Sequence, residues 1–453
     1  MQIVIVGDGK VGLTLTQMLS AEDHNITVVD SNAKVLAGLH EDYDVRTVLG
    51  HGATRVVLEE AEAGEAQLLI AATSSDEINL LSCLTAKKLG CEHTIARVRN
   101  PEYFDQINFL REDLGLSFAI NPDKACAREI FQLLQFPSFL ERERFVNGRV
   151  EIVCINIDAH SPFKGISLQN LYQAAKVRVL VCAVERNGEV IIPDGSFSIR
   201  EGDDLYISSS SENLAALIKN LKLMTRKVTQ VTIVGGSRLG LYLANRLLRS
   251  GVHVKIIEKN PEKCIRLADL LPDADIIEAD GTDQNVLHSE GALRSDALVA
   301  LTGFDEGNII LSIYAHQNGV RKVITKCNNM QYGEMFRKMG IDTFVSPKMT
   351  SASEIVSYVR AMEASSGSRM MTMHYIVGGK AEALEFIAHS SSKLLGIPLA
   401  DLPLRKGVLI ACITRGTNVT IPTGGSTIQV GDSVMIVTAA GRIYYDLDEI
   451  LDA

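Results

Sequence analysis

The sequence predicts an α/β chain in which two doubly wound parallel sheets are each followed by a smaller α+β module. Three observations carry that prediction. Residues 1–12, MQIVIVGDGKVG, run from a short apolar strand through a glycine turn into a helix, and residues 230–240, QVTIVGGSRLG, repeat the device. Gly12 and Gly240 stand 228 positions apart (240 − 12), so the chain is an internal duplication. In both copies apolar strands alternate with amphipathic helices, the pattern of a parallel sheet covered on both faces.

In the first copy a helix is expected over Val11–Leu19, with strands near Ile26–Val29, Val45–Leu49, Leu68–Ala72, Thr94–Val98 and Phe118–Ile120. The second strand ends at Asp30, and the third runs into Gly50-His51-Gly52. Ser74 and Glu77 stand at capping-box spacing after the fourth strand. The second copy keeps this order: Glu258 answers Asp30, Asp280-Gly281-Thr282 answers His51-Gly52-Ala53, Thr302 answers Thr73, Lys326 answers Arg97, and Ser346-Pro347 echoes Asn121-Pro122.

The shorter stretches repeat as well. Strands are expected over Glu151–Ile157, Val177–Glu185, Val190–Ile192 and Asp204–Ser208, punctuated by Pro193, Gly195 and Gly202-Asp203. Pro422, Gly424 and Gly431-Asp432 recur in step, as expected of one module copied. The expected units are 1–140, 141–225, 226–367 and 368–453. The polar stretch Lys219–Gln230 is read as the joint between halves, and Ser365–Ser368 as a softer boundary.

Composition narrows the class. Hydrophobic residues at 46% with 22% charged suit a folded chain, and a net charge of −10 without a basic stripe argues against nucleic acid as a partner. The opening residues are already a strand and lack the basic lead and apolar stretch of a signal peptide, and no run reaches the ~18 apolar residues of a membrane helix. A cytosolic chain is therefore expected. The eight cysteines are scattered, with no C-x-x-C pair, and read as reduced, buried thiols.

The glycine loops carry the chemistry. A dinucleotide site brings backbone N–H groups close to a pyrophosphate at a helix N-terminus, where the dipole favours anions and side chains obstruct the approach. Gly7, Asp8, Gly9, Lys10, Val11 and Gly12 form that loop in the first copy. Asp30 lies 18 residues past Gly12 (30 − 12), close to the ~20 expected of the acid that binds ribose hydroxyls and repels a 2′-phosphate. In the second copy, Gly235, Gly236, Ser237, Arg238, Leu239 and Gly240 hold serine in place of the middle glycine, with Glu258 as the acid. That loop is read either as a second nucleotide site, with Arg238 against phosphate, or as a domain kept for packing.

Other candidates have two readings each. Thr73 and Ser74 lie at a strand's carboxyl end, where ligands of such sheets collect, and also suit helix capping. Arg97, on an otherwise apolar strand, fits a phosphate contact or a carboxylate at a subunit contact. His51 fits the adenosine end of a site or a base. H-E-x-x-H, G-x-S-x-G and Walker A sequences are missing, so a catalytic reading finds no support.

These pieces together resemble the TrkA-type regulatory subunits of Trk potassium-uptake systems, which are built from paired regulator-of-potassium-conductance (RCK) domains. The resemblance spans essentially the whole chain. It rests on IVGDGKVG with ITVVD, VLGHGA (Val48–Ala53), AATSSDEIN (Ala71–Asn79), ARVRNPEY (Ala96–Tyr103), VGGSRLG and LTGFDEGNI (Leu301–Ile309). Ser237 departs from the family's usual glycine. The resemblance implies a Rossmann-like RCK_N and a small RCK_C domain in each half, and NAD(H) in the glycine-loop sites with ATP or ADP in related ones. It implies a homo-oligomeric ring, typically of four chains, beneath a TrkH-type membrane subunit on the inner face of the membrane. Carried to this chain, it gives a first site at Gly7 to Val11, Asp30, Thr73, Ser74 and Arg97, and a second at Gly235 to Gly240 and Glu258, with Thr302 beside it. The alternative from the residues is an NAD-dependent oxidoreductase with a duplicated Rossmann domain.

Overall fold

The structure is a computed structural model. It describes residues 1–453 except 23, 136–141, 146–148, 222–227, 329–335, 337–338, 340, 342, 366–369, 378–379, 417, 440–443 and 453. The first half opens with β1 (Gln2–Val6), β2 (Asn25–Asp30), β3 (Arg46–Leu49), β4 (Leu68–Ala71), β5 (His93–Arg97) and β6 (Phe118–Ile120). All six are parallel, in the order β3-β2-β1-β4-β5-β6. The order reverses between β1 and β4, the switch point beside which such sheets bind ligands. β4 is buried on both faces, and Ile3, Val4 and Ile5 of β1 have no exposed surface, which is why these strands read as unbroken apolar runs. The helix Lys10–Ser20 buries Val11, Leu15 and Leu19 at four-residue spacing against this sheet.

An antiparallel sheet follows, made of β7 (Arg142–Phe145), β8 (Val150–Asn156), β9 (Leu180–Arg186), β10 (Glu189–Ile191) and β11 (Asp204–Ser210) in the order β10-β9-β11-β8-β7. The second half repeats both sheets. β12 (Gln230–Val234), β13 (His253–Glu258), β14 (Asp275–Glu278), β15 (Ala297–Ala300), β16 (Lys322–Lys326) and β17 (Phe344–Val345) run β14-β13-β12-β15-β16-β17. β18 (Met370–Ile376), β19 (Ala381–Ile387), β20 (Val408–Arg415), β21 (Asn418–Thr420) and β22 (Ser433–Ala439) run β18-β19-β22-β20-β21, the topology of the first small sheet. Even single ion pairs recur: Arg186 grips Asp203 through two bonds of 2.7 Å, and Arg415 grips Asp432 the same way.

The halves interlock, which the sequence reading missed. The helix Pro122–Gln135 inserts Cys126, Ala127, Ile130, Leu133 and Leu134 into the core of the second parallel sheet. The helix Pro347–Ser365 returns the exchange, placing Ala352, Ile355, Val356 and Val359 against Ile3, Ile5 and Leu15 of the first. Thr350 donates to Glu129 across this junction at 2.8 Å, and Arg128 pairs with Glu354. The two small sheets likewise share one core, with Cys154, Ala183 and Tyr206 against Ala383, Cys412 and Met435.

Two further readings change. Ser75, not Ser74, caps the helix Asp76–Leu89: its hydroxyl accepts from the Ile78 N–H and donates to Glu77. Lys219 and Asn220 end the helix Ser211–Asn220 and so do not belong to an irregular joint. Residues 222–227 of that joint lie outside the described residues, as do 366–368 and the unit limits expected at 140, 225 and 367. All eight cysteines are buried thiols outside any disulfide. Among the described residues no helix is long and apolar enough to cross a membrane.

Candidate functional site

The three glycines of the first loop do three separate jobs. Gly7 turns the chain at φ +92°, and a Cβ there meets Thr73 at 2.8 Å. A Cβ on Gly12 falls 1.9 Å from the Gly7 carbonyl oxygen, so only glycine lets the first helical turn press against the loop. Gly9 has open space where a Cβ would stand, and it begins the helix Lys10–Ser20 without any side chain capping the free N–H groups. The loop therefore presents bare amide donors and a positive dipole end to whatever enters from above.

Asp30, at the end of β2, is held by the loop it serves. One carboxylate oxygen accepts the Asp8 N–H at 2.8 Å, and the other accepts the Asn32 N–H at 2.8 Å. Each oxygen keeps lone-pair capacity for a ribose hydroxyl. Asp8 is stranger. It is only 8% exposed, and one oxygen, Oδ1, lacks a partner among the described residues. Burial, with the charge of Asp30 second, pushes its carboxyl up to about 6.

The carboxyl ends of β4 and β5 are tied by a residue that the sequence reading gave no role. Asn79 is fully buried. Its side-chain oxygen accepts the Thr73 N–H at 2.8 Å and the Thr73 hydroxyl at 2.7 Å, while its amide donates to the Arg97 carbonyl at 2.8 Å. The second half repeats the clamp with Asn308, Thr302 and Lys326. The recurrence of T-x-x-D-E-x-N was the available signal. Arg97 donates one N–H to the Ala72 carbonyl at 3.3 Å, and its Nε is buried without a partner among the described residues; burial holds its guanidinium below the usual value. A mostly buried cation with an unmet donor suits an anion. Arg99, also unassigned from sequence, forks onto one oxygen of Asp123 at 3.0 and 2.9 Å.

A cavity of about 560 Å3 lies over this loop. Gly7, Gly9, Lys10, Val11 and Asp30 line it, and so do His51, Thr73, Ser74 and Arg97, so one space gathers most of the expected first site. His51 is exposed there, its Nδ1 taking the Ala53 N–H at 3.3 Å. The far wall comes from the second half: Ser237, Leu239, Lys326, Asn328, Pro347 and Lys348. Burial also lowers the Lys326 ammonium, against the opposing fields of Asp305 and Asp123. The crossed helices explain this wall, because they bring the start of the helix Pro347–Ser365 and the end of β16 over the first glycine loop.

The second loop keeps the backbone and changes the surface. Gly235 turns at φ +110°, and Glu258 accepts the Gly236 N–H at 2.7 Å and the Asn260 N–H at 2.9 Å, as Asp30 does in the first half. Glu258 is only 7% exposed, and the Ser237 hydroxyl accepts the Gly240 N–H at 3.3 Å. Arg238 opens the helix Arg238–Arg249, and its charge reaches Arg97.

Two glycine-loop domains, each followed by a small antiparallel sheet and crossed over one another, define a tandem chain of TrkA-N and TrkA-C type. The TrkA-N domain family matches residues 3–122 and 231–347, and the TrkA-C domain family matches 152–222 and 383–444. The chain is 32% identical to the Trk system potassium uptake protein TrkA of Halomonas elongata, over 99% of this chain and 98% of that one. It is 31% identical to the protein of that name from Haemophilus influenzae, over 96% and 95%. Among solved structures, the GsuK channel shares the fold with a TM-score of 0.65 at 20% identity, covering 97% of this chain and 77% of that chain. A GsuK channel bound to NAD gives 0.63 over the same shares. This chain belongs to the TrkA family of Trk potassium-uptake proteins.

Proposed function

We propose that this chain is a non-catalytic nucleotide sensor that regulates potassium uptake through a membrane-embedded TrkH-type subunit. It works as a ring of chains, four in this reading, on the cytoplasmic face of the membrane, with units 1–140, 141–225, 226–367 and 368–453. The ligand is NAD(H), with ATP or ADP as competing occupants. Similarity to a GsuK channel bound to NAD, and to another bound to ADP, supports that choice.

One observation carries the reading: the cavity over the first glycine loop has walls from both halves. When bound there, the pyrophosphate rests on the bare amides of Gly9 to Gly12, the ribose on Asp30, and a phosphate oxygen on Arg97. A ligand so placed touches Lys326 and Lys348 only while the halves hold this arrangement, so its affinity depends on their relative position. Ligand and geometry are then linked, and each biases the other. A tenfold affinity difference between two arrangements supplies ~1.4 kcal/mol per site, and several sites in a ring add to a usable switch.

The test is a reconstituted complex of this chain with its membrane subunit. NADH or ATP is expected to bind the purified chain and to change potassium flux. If neither nucleotide binds and neither alters flux, the proposal fails.

A further inference from the structure

We infer that the second glycine loop is closed by its own serine, so that each chain holds one dinucleotide, in the first half. The inference rests on the nucleotide reading above and refines it.

Three differences between the loops point the same way. The first helix begins at Gly9 with no side-chain cap, leaving its N–H groups for a ligand. In the second, the Ser237 hydroxyl already accepts the Gly240 N–H at 3.3 Å, so a donor that a pyrophosphate needs is spent within the protein. That hydroxyl also stands where an anion must come closest. Gly9 has nothing within 4 Å of an added Cβ, so the corresponding volume in the first loop is empty. A phosphate entering over Ser237 must displace both the side chain and its bond.

The acids differ next. Asp30 remains partly exposed and lines the cavity. Glu258 is 7% exposed, its β and γ carbons 3.1 Å from where a Cβ on Gly236 would sit. Leu267, from the helix Pro261–Leu270, crowds the same point at 2.5 Å. The longer acid is thus folded under its loop, where its job is to hold the Gly236 and Asn260 N–H groups.

The third difference is where the second loop's residues face. Ser237 and Leu239 border the cavity of the first half. Lys326, counterpart of Arg97, does the same. The second half has kept the fold of a nucleotide domain and serves as the wall of its neighbour's site.

The test is equilibrium dialysis of the full chain against radiolabelled NAD, and separately ATP, to saturation. The expected plateau is one nucleotide per chain for the wild type and none for D30A. A plateau of two in the wild type, or of one remaining in D30A, overturns this inference and leaves the nucleotide reading standing. A wild-type plateau of zero overturns both. Ser237→Gly frees the Gly240 N–H and is expected to add a second, weaker class of sites without loss at the first. Glycine is well tolerated at an N-cap, so the variant is expected to fold and to melt close to the wild type. If S237G still saturates at one, with melting temperature unchanged, serine is not what closes the loop and the inference is overturned.

Discussion

A methyl group added at Gly9 and one added at Gly12 have opposite consequences. At Gly12 the new carbon falls 1.9 Å from the Gly7 carbonyl oxygen, so Gly12→Ala must push the helix off its loop. The expected loss is about 1–3 kcal/mol, read as a lowered melting temperature with binding lost alongside. At Gly9 the carbon enters open space, so Gly9→Ala is expected to cost only about 1 kcal/mol, that of a poorer N-cap residue, while binding NADH at least tenfold more weakly. Asp8 makes the site sensitive to pH. Its carboxyl titrates near 6, raised from 3.8 by burial and by Asp30. Because the folded value is the higher one, the fold binds the proton more tightly than the unfolded chain does. Stability from this group therefore falls as pH rises from about 4 to about 6 and levels off above. An anion on the loop raises the value further, so binding takes up a proton. NADH affinity is expected to fall by about tenfold, or ~1.4 kcal/mol, as pH rises from 6 to 7.5, and D8N is expected to flatten the profile. A wild-type titration that is flat across this range rules the effect out.

Among the elements, the ends of β4 and β5 owe their positions to Asn79, and those of β15 and β16 to Asn308. Either asparagine replaced by alanine leaves buried donors and acceptors unmet, at about 1–3 kcal/mol each. The two variants are expected to lose similar stability and to differ in binding. N79A displaces Thr73 and Arg97 and weakens NADH the more, whereas N308A leaves the first loop in place and reaches the ligand only through Lys326 on the far wall. Calorimetric melting with parallel titration separates these outcomes. The sequence placed these strands to within a few residues because both faces of each are buried, and continuous apolar runs announce that. It misplaced the cap at Ser74 because three polar residues in a row, Thr73, Ser74 and Ser75, all satisfy the local rule. Only the geometry of the turn selects among them. Asn79 was visible as a repeated letter, but its task needs a second strand end to be beside it.

For the whole molecule, the crossed helices make the halves mutually dependent. Pro122–Gln135 completes the second core and Pro347–Ser365 completes the first. Arg360, 3% exposed, adds a buried pair with Glu22, bonding at 2.7 Å through Nε, with Glu382 3.7 Å away. Burial raises the Glu382 carboxyl, against the pull of Arg360. Removing the arginine leaves two buried acids, so Arg360→Met is expected to cost about 3–5 kcal/mol, more than any surface pair. Residues 1–225 expressed alone expose the apolar face of Pro122–Gln135. Size-exclusion chromatography is expected to show self-association or aggregation, and co-expression with 226–453 to restore one stable complex. A monodisperse, stable monomer of 1–225 contradicts this account of the core.

The sequence by itself determined the duplication, the parallel sheets, the glycine loop and its acid, because each is written in local spacing: period, turn residue, and distance from glycine to carboxylate. Only the tertiary structure decided that the last helix of each large sheet packs on the other. It also decided that the first cavity borrows its far wall from residues more than 200 positions away, and that Glu258 lies folded under its loop. An amphipathic helix declares that it has an apolar face, but several sheets in one chain offer that face a home. The choice rests on the fit of whole surfaces, which no short window of residues contains.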